Sequence, residues 1–264
     1  MKKILTYVRY FTDFLQYGQL RLVIASVVYI LTGKSFIQTR IFRGKLGYFL
    51  HRKGSLDFQF GNYAYEWNVK EVMLKHLHSY DVFFDVGANI GSYTIMLAGS
   101  GLRTYAFEPV YSNYKALNIN ILLNDLESKV TAFNFGLGNE TRPESFSFDP
   151  LNTGASHISS HPADTLDAEK RSIATTIQIT KLDDIVSSFE LKETDRILMK
   201  IDVEGMEIEV LQGAAQFLKS RPKVMLIMES VHSGEEQLKK VLSEIDEFEF
   251  FSIDSLNMGA FKDK

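Results

Sequence analysis

Apolar residues recur at three- and four-residue intervals at the start of the chain, at Ile4, Tyr7, Val8, Phe11, Phe14 and Leu15. That single stripe predicts an amphipathic helix. A more uniformly apolar run over 20–31 predicts a second helix, stopping near Gly33. Looser alternation over 55–65, with Gly61 and Asn62 inside it, predicts a strand or hairpin. Helical spacing returns over 67–78 through Val69, Val72, Met73 and Leu77. Beyond this point short apolar runs alternate with helical spacing. Strands are expected over 81–86, 103–107, 130–137, 197–201, 224–228 and 248–253, and helices over 92–98, 112–123, 207–218 and 235–245. Such alternation predicts an α/β domain with a doubly wound, mostly parallel sheet. Residues 139–180 break the rhythm: they are rich in Ser, Thr, Asn and His and lack helical periodicity. An insertion of that length in a compact domain points to function. The chain therefore divides into a helical extension over 1–56 and a main domain over 57–264 that carries the insertion.

Composition changes this picture little. Hydrophobic residues make up 45% of the 264 and charged residues 23%, an ordinary globular balance. The absence of cysteine excludes a disulfide scaffold, thiolate-bound zinc, an iron–sulfur cluster and a cysteine nucleophile. Charge changes it more. The net charge of −4 conceals an asymmetry, since ten Lys and Arg precede Asp57 against Asp13 alone. A basic segment on an acidic body suggests an anionic partner, a membrane surface or a nucleic acid. The two helices either simply pack on the domain or lay a basic, aromatic-rich face on anionic lipid. Phosphates near the acidic body would be repelled, so no nucleic-acid substrate is expected. The apolar run over 20–31 falls short of the roughly 20 residues a spanning helix needs, and no cleavage site follows it. The expectation is a cytoplasmic protein that can associate peripherally with the inner membrane face, of unassigned oligomeric state.

The most informative segment is Asp85-Val86-Gly87-Ala88-Asn89-Ile90-Gly91, which leaves a strand and opens a helix. Ligands of open α/β sheets bind outside the carboxyl ends of the strands. Gly87 permits a sharp exit, Asn89 tolerates a left-handed backbone and Gly91 lets the helix start pack closely. A glycine turn alone is weak evidence. Glu108, 21 residues past Gly87 at the end of the next strand, stands where an acid holds ribose hydroxyls. The dinucleotide fingerprint has glycine where its backbone meets pyrophosphate, and this chain has Asn89. A cofactor without pyrophosphate fits better, and Asp85 suits a cationic ligand group such as a methionyl amine.

Phe83-Phe84-Asp85-Val86-Gly87-Ala88-Asn89-Ile90-Gly91, Phe107-Glu108-Pro109 and Lys200-Ile201-Asp202-Val203-Glu204-Gly205 together closely resemble the FkbM family of methyltransferases. Leu182-Asp183-Asp184 and Leu211-Gln212-Gly213-Ala214 add to the likeness, which runs from about Tyr65 to the end of the chain. The resemblance implies a class I methyltransferase fold, Rossmann-like, with S-adenosylmethionine as donor. It implies, as acceptor, a hydroxyl of a sugar, a polyketide-derived molecule or another small molecule; the polar insertion and the basic segment, on their own account, favour a glycan or glycolipid. Carried over by position, Asp85 and Gly87 face the methionine portion and Glu108 the ribose. Asn134 approaches the adenine edge, and Asp202 floors the donor and acceptor pocket.

Methyl transfer to an alcohol needs somewhere for the proton to go. Asp202, His157 and His232 are the candidate catalytic residues, with Glu204, Glu229 and His161 as weaker ones. Glu204 has an equally plain reading as a cap of the following helix. Tyr65 and Glu66 are placed to close over the cofactor. Asp202, Glu204 and Glu229 lack a defining metal spacing, so no metal site is predicted. Two rival functions stay open: a nucleotide-cofactor oxidoreductase, and a non-enzymatic methyltransferase-like module bound at a membrane surface.

Overall fold

A computed structural model describes residues 2–148, 157–158 and 173–263. Helix α1 (Lys2–Gln16) and helix α2 (Leu20–Thr32) form as their apolar spacing predicts. Gly33 ends α2 in the left-handed conformation, φ 67°, with its N–H donating to the Tyr29 carbonyl. Strands β1 (Arg40–Gly44) and β2 (Gly47–His51) then make an antiparallel hairpin. The hairpin precedes the stretch where the alternation placed it. Residues 55–65 instead turn through a short helix, α3 (Asp57–Phe60). The buried Asp57 carboxylate accepts from the Arg52 backbone N–H and from Arg52 Nε and Nη2, while Ser55 Oγ accepts the Asp57 N–H. Those bonds close a turn that a strand cannot make.

Helix α4 (Trp67–His76) leads into the main sheet. Its elements are β3 (Val82–Val86), α5 (Ser92–Gly99), β4 (Arg103–Phe107), α6 (Tyr111–Leu123) and β5 (Val130–Phe133). The strand expected over 130–137 divides here, because β6 (Gly136–Gly138) leaves the main sheet to pair with a different strand. The insertion supplies β7 (Arg142–Phe148), β8 (His157–Ile158) and β9 (Ile173–Lys181), which build a second sheet in the order β6-β9-β7-β8. Helix α7 (Leu182–Ile185) returns the chain to β10 (Ile197–Ile201). The next helix is two pieces, α8 (Glu207–Gly213) and α9 (Ala215–Ser220). The break falls where Gly213 lies against the Gly138 carbonyl, leaving no room for a side chain. Strand β11 (Lys223–Glu229), helix α10 (Glu235–Ile245), strand β12 (Glu249–Ser252) and an unanticipated last strand β13 (Asn257–Asp263) complete the order.

The main sheet runs β12-β13-β11-β10-β3-β4-β5. From β11 to β5 all pairings are parallel; β13 enters antiparallel between β11 and β12. A dinucleotide-binding sheet of order 3-2-1-4-5-6 has no such reversed strand. The connections change direction between β3 and β10, and a ligand crevice opens at such a switch point. All five positions of β10 and of β3 are buried, on both faces, as central parallel strands require, and all but Lys200 and Asp85 are apolar.

The extension shares a core with the domain. Phe14, Leu22, Phe42 and Phe49 cluster with Ile90, Ile95, Leu117 and Ile121 from the glycine turn after β3, α5 and α6. Asp13, 5% exposed, accepts the backbone N–H groups of Lys45 and Tyr63 and so pins α1 to the hairpin and to the segment before α4. Asn120 of α6 accepts from the Leu50 N–H and donates to the Ile90 carbonyl, tying the hairpin to the turn over the crevice.

Candidate active site

Strand β3 delivers the turn to the switch point. Gly87 takes φ 88° and Asn89 φ 50°. A Cβ on Gly87 would collide with the Asp202 carbonyl oxygen, so glycine is required where β10 ends against the turn. The Asp202 N–H donates to the Val86 carbonyl and locks the two strand ends together. Beside them lies a cavity of about 490 Å³, within the range of small-molecule sites. Gly87, Asn89, Glu108, Asp202 and His232 all line it, with Glu66 and Tyr65 at another part of the wall. The second sheet contributes an apolar wall through Phe146, Ile177 and Ile179, which gives the insertion a place in the site.

Glu108 is 4% exposed and accepts from the Asn89 N–H and the Val110 N–H, each at 2.8 Å. Burial pushes its carboxyl up to about 7, against those two bonds and Asn113. Each oxygen retains acceptor capacity toward the cavity, the arrangement a ribose diol needs. Asp85 takes a different place from the one expected. It does not line the cavity but stands behind the turn, where Thr94 Oγ1 donates to it at 2.6 Å. Burial raises it to about 6. Gly91, φ 90°, is likewise behind the wall at the N-cap of α5. Asn134 donates to the Glu108 and Pro109 carbonyls and supports the loop rather than lining the cavity.

Lys200, Tyr93 and Glu66 line the cavity, and their pairing escaped the sequence reading. Lys200 breaks the apolar run of β10 and is 3% exposed. Its ammonium donates to Asp202 and lies 4.6 Å from the Tyr93 ring. Burial disfavours that charge, but Asp202 and Glu66 outweigh the cost and hold the ammonium above the ordinary lysine range. Tyr93 donates to Glu66 at 2.7 Å. Fully buried Lys70 donates to the Tyr65 carbonyl and is lowered to about 7 by burial. The available signal was a lone lysine inside an apolar strand, since a buried charge must be paired.

The acids after β10 and β11 meet because those strands are neighbours. Glu204, at φ 54°, approaches His232 Nε2 at 3.2 Å. It does not cap α8: Glu207 itself accepts the Val203 and Gly205 N–H groups. Glu229 has a buried oxygen with no hydrogen-bond partner among the described residues, and burial, Asp202 and Glu207 raise it to about 8. Ligand atoms of Glu204, Glu229 and His232 all lie within 4.8 Å of one another, a set able to accept a proton or hold a divalent cation. The structure thus groups Glu204 and Glu229 with His232 as the possible cation ligands. His157 lies on β8 opposite Ser147 of β7. Its side chain, and all of His161, fall outside the described residues.

The reversed β13, the glycine turn after β3 and the acid ending β4 define the class I methyltransferase fold, a Rossmann-like sheet. The FkbM methyltransferase domain matches residues 85–254, and the chain belongs to that family of S-adenosylmethionine-dependent methyltransferases. Among curated relatives, the hexuronic acid methyltransferase AglP of Haloferax volcanii is 28% identical over 181 residues, 68% of each chain. Methyltransferase sdnD of Sordaria araneosa is 27% identical over 168 residues, 52% of this chain and 64% of that protein. The crystal structure of a methyltransferase FkbM from Methylobacillus flagellatus KT superposes with a TM-score of 0.48 at 20% identity, over 69% of this chain and 44% of that one. The chain therefore spans about two thirds of these curated relatives and less than half of that solved chain.

Proposed function

We propose that the protein is an S-adenosylmethionine-dependent O-methyltransferase that methylates a hydroxyl of a glycan, glycolipid or other small molecule. The observation that carries this reading is the sharing of one cavity by Glu108 and the family's turn on one hand and the Glu204–His232 pair with Glu229 on the other. A donor site and a proton acceptor thus face the same space.

The residues fit the donor. Gly87 brings the turn's backbone to the cavity wall, Glu108 offers two oxygens to the ribose, and Asp202 places negative charge where a sulfonium is favoured. Asp85 acts from behind, through Thr94 and the turn. When bound, the cofactor supplies an already activated methyl group, so positioning accounts for much of the rate. A hydroxyl acceptor held beside that methyl group would have to give up its proton to the protein as the methyl is transferred. His232, oriented by Glu204, takes the proton; Glu229, raised to about 8, is matched to the same task near neutral pH. Asp202, engaged by Lys200, serves the donor charge instead. An anionic acceptor atom would be repelled by the Glu204 carboxylate, which favours a neutral hydroxyl over a carboxylate. The AglP likeness supports a sugar acceptor.

Calorimetry with S-adenosylmethionine tests the donor assignment: Glu108→Ala and Asp85→Ala both lose binding. Undiminished binding in both overturns it, and NAD binding in parallel would favour the oxidoreductase. Transfer is then followed with isotopically labelled methyl on uronic-acid-containing and neutral glycans. An ether methyl survives alkali, whereas release of the label by alkali identifies an ester and overturns the hydroxyl reading. His232→Asn should lower kcat by roughly 10²–10⁴-fold with donor affinity unchanged.

A further inference from the structure

We propose that the outward face of α1 and α2 is a membrane-binding surface that lies flat on a bilayer containing anionic phospholipid. This inference does not rest on the methyl-transfer reading.

Helix α2 is apolar on both sides. Leu22 and Ser26 face the core, while Leu20, Ile24, Val27 and Leu31 are 58%, 56%, 41% and 78% exposed. Their spacing of four, three and four residues is one helical stripe turned away from the protein. Helix α1 exposes Leu5, Val8 and Leu15 at matching intervals, and Phe36 follows α2 at 68% exposure. Single exposed apolar residues are ordinary, but a run of large ones on two adjoining helices marks an interaction surface.

Charge identifies the partner. Arg21, Lys34 and Lys53 are exposed, and none is paired with a carboxylate among the described residues. Asp13, the sole acid before Asp57, is buried with its oxygens on the Lys45 and Tyr63 N–H groups, so no acid from this segment reaches its surface. An apolar stripe among unopposed cations matches the interface of an anionic bilayer. The acidic body behind it is repelled by the same bilayer and orients the contact. A second copy would also cover the stripe, but a twofold interface would set each basic face against its own like. The 13 residues of α2 span about 20 Å, short of the roughly 30 Å hydrocarbon core. No helix among the described residues is long and apolar enough to cross a membrane. The surface therefore lies in the interface plane.

The test is vesicle flotation of the full chain with phosphatidylcholine alone and with phosphatidylcholine mixed with phosphatidylglycerol. Binding is expected only to the mixed vesicles and is expected to fall with added salt. The double variants Ile24→Glu/Leu31→Glu and Arg21→Glu/Lys34→Glu should each weaken partition by at least about tenfold while leaving the melting temperature nearly unchanged, because these side chains are exposed and belong to no core cluster. Wild-type-like partition in both variants overturns the proposal. So does equal binding to uncharged vesicles. Light scattering without lipid that shows a dimer dispersed by Ile24→Glu/Leu31→Glu would assign the stripe to a second copy instead.

Discussion

Gly87 is the residue on which the site's geometry turns. Its φ of 88° and the Asp202 carbonyl in the place of a Cβ set two separate barriers to any side chain. Gly87→Ala should cost about 1–3 kcal/mol in backbone strain and push the end of β10 away from the turn. Urea unfolding should show the loss, and calorimetry should show donor binding weakened beyond what stability alone explains. Glu108 makes a second residue-level prediction, through pH. Its carboxyl is raised to about 7, so the free protein carries much of it protonated below neutrality. Ribose hydroxyls donate best to the ionised form, so donor affinity should rise with pH until about pH 7 is passed and then level off. Glu108→Gln should bind weakly at every pH with no such rise. The same shift has the opposite sign for folding. The native state holds a proton that the unfolded chain has released, so this carboxyl destabilises the free protein as pH rises from the ordinary carboxylate range through about 7. Melting curves of the free wild type and of Glu108→Gln across that window should converge at low pH.

Among elements, the hairpin and the turn after it hold the extension on the domain. Arg52, at the end of β2, grips both oxygens of the fully buried Asp57 and also donates to the Ser112 carbonyl and to Asn113 at the start of α6. Arg52→Ala strands a buried carboxylate, a loss of about 3–5 kcal/mol that should appear as a lowered denaturation midpoint, with Arg52→Lys intermediate because it cannot form the paired contact. This region was also the least legible in the sequence. The hairpin turns through Lys45 and Leu46, without the Asn-Gly or Asp-Gly pair that announces a tight turn. Phe58 and Phe60 imitate strand alternation while Asp57 and Ser55 close a helical turn. By contrast, β3, β4, β10 and β11 were legible because central parallel strands are short, mostly apolar runs between helices. The turn and Glu108 were legible for the same local reason. The meeting of Glu204, Glu229 and His232 was not, since it depends on β10 lying beside β11. Lys200 was read within its motif, but its pairing with Asp202 over Tyr93 is a tertiary fact.

At the scale of the whole molecule, charge and core divide the chain differently. By charge, the boundary falls near Asp57, with a basic segment before it and an acidic body after. By packing there is no gap at that point. Phe14, Leu22, Phe42 and Phe49 fill the same cluster as Ile90, Ile95 and Leu117, and Asn120 links β2 to the Ile90 carbonyl of the glycine turn. Removing residues 1–56 would therefore uncover Phe58, Ile95 and Ile121 and leave Asp57 without Arg52. At about 1.5–3 kcal/mol for each large apolar side chain returned to water, and with the Asp57 carboxylate stranded at a cost of about 3–5 kcal/mol, the losses are comparable to the net stability of an ordinary domain, about 5–15 kcal/mol. The truncated chain should aggregate or lose its cooperative melting transition, and it should bind no donor in calorimetry. A truncated chain that melts cooperatively and binds donor as the full chain does would show that the shared core is not needed. Surface substitutions such as Ile24→Glu/Leu31→Glu leave that core intact, so they separate the two roles of one segment: the buried side that builds the site, and the exposed side offered to a bilayer.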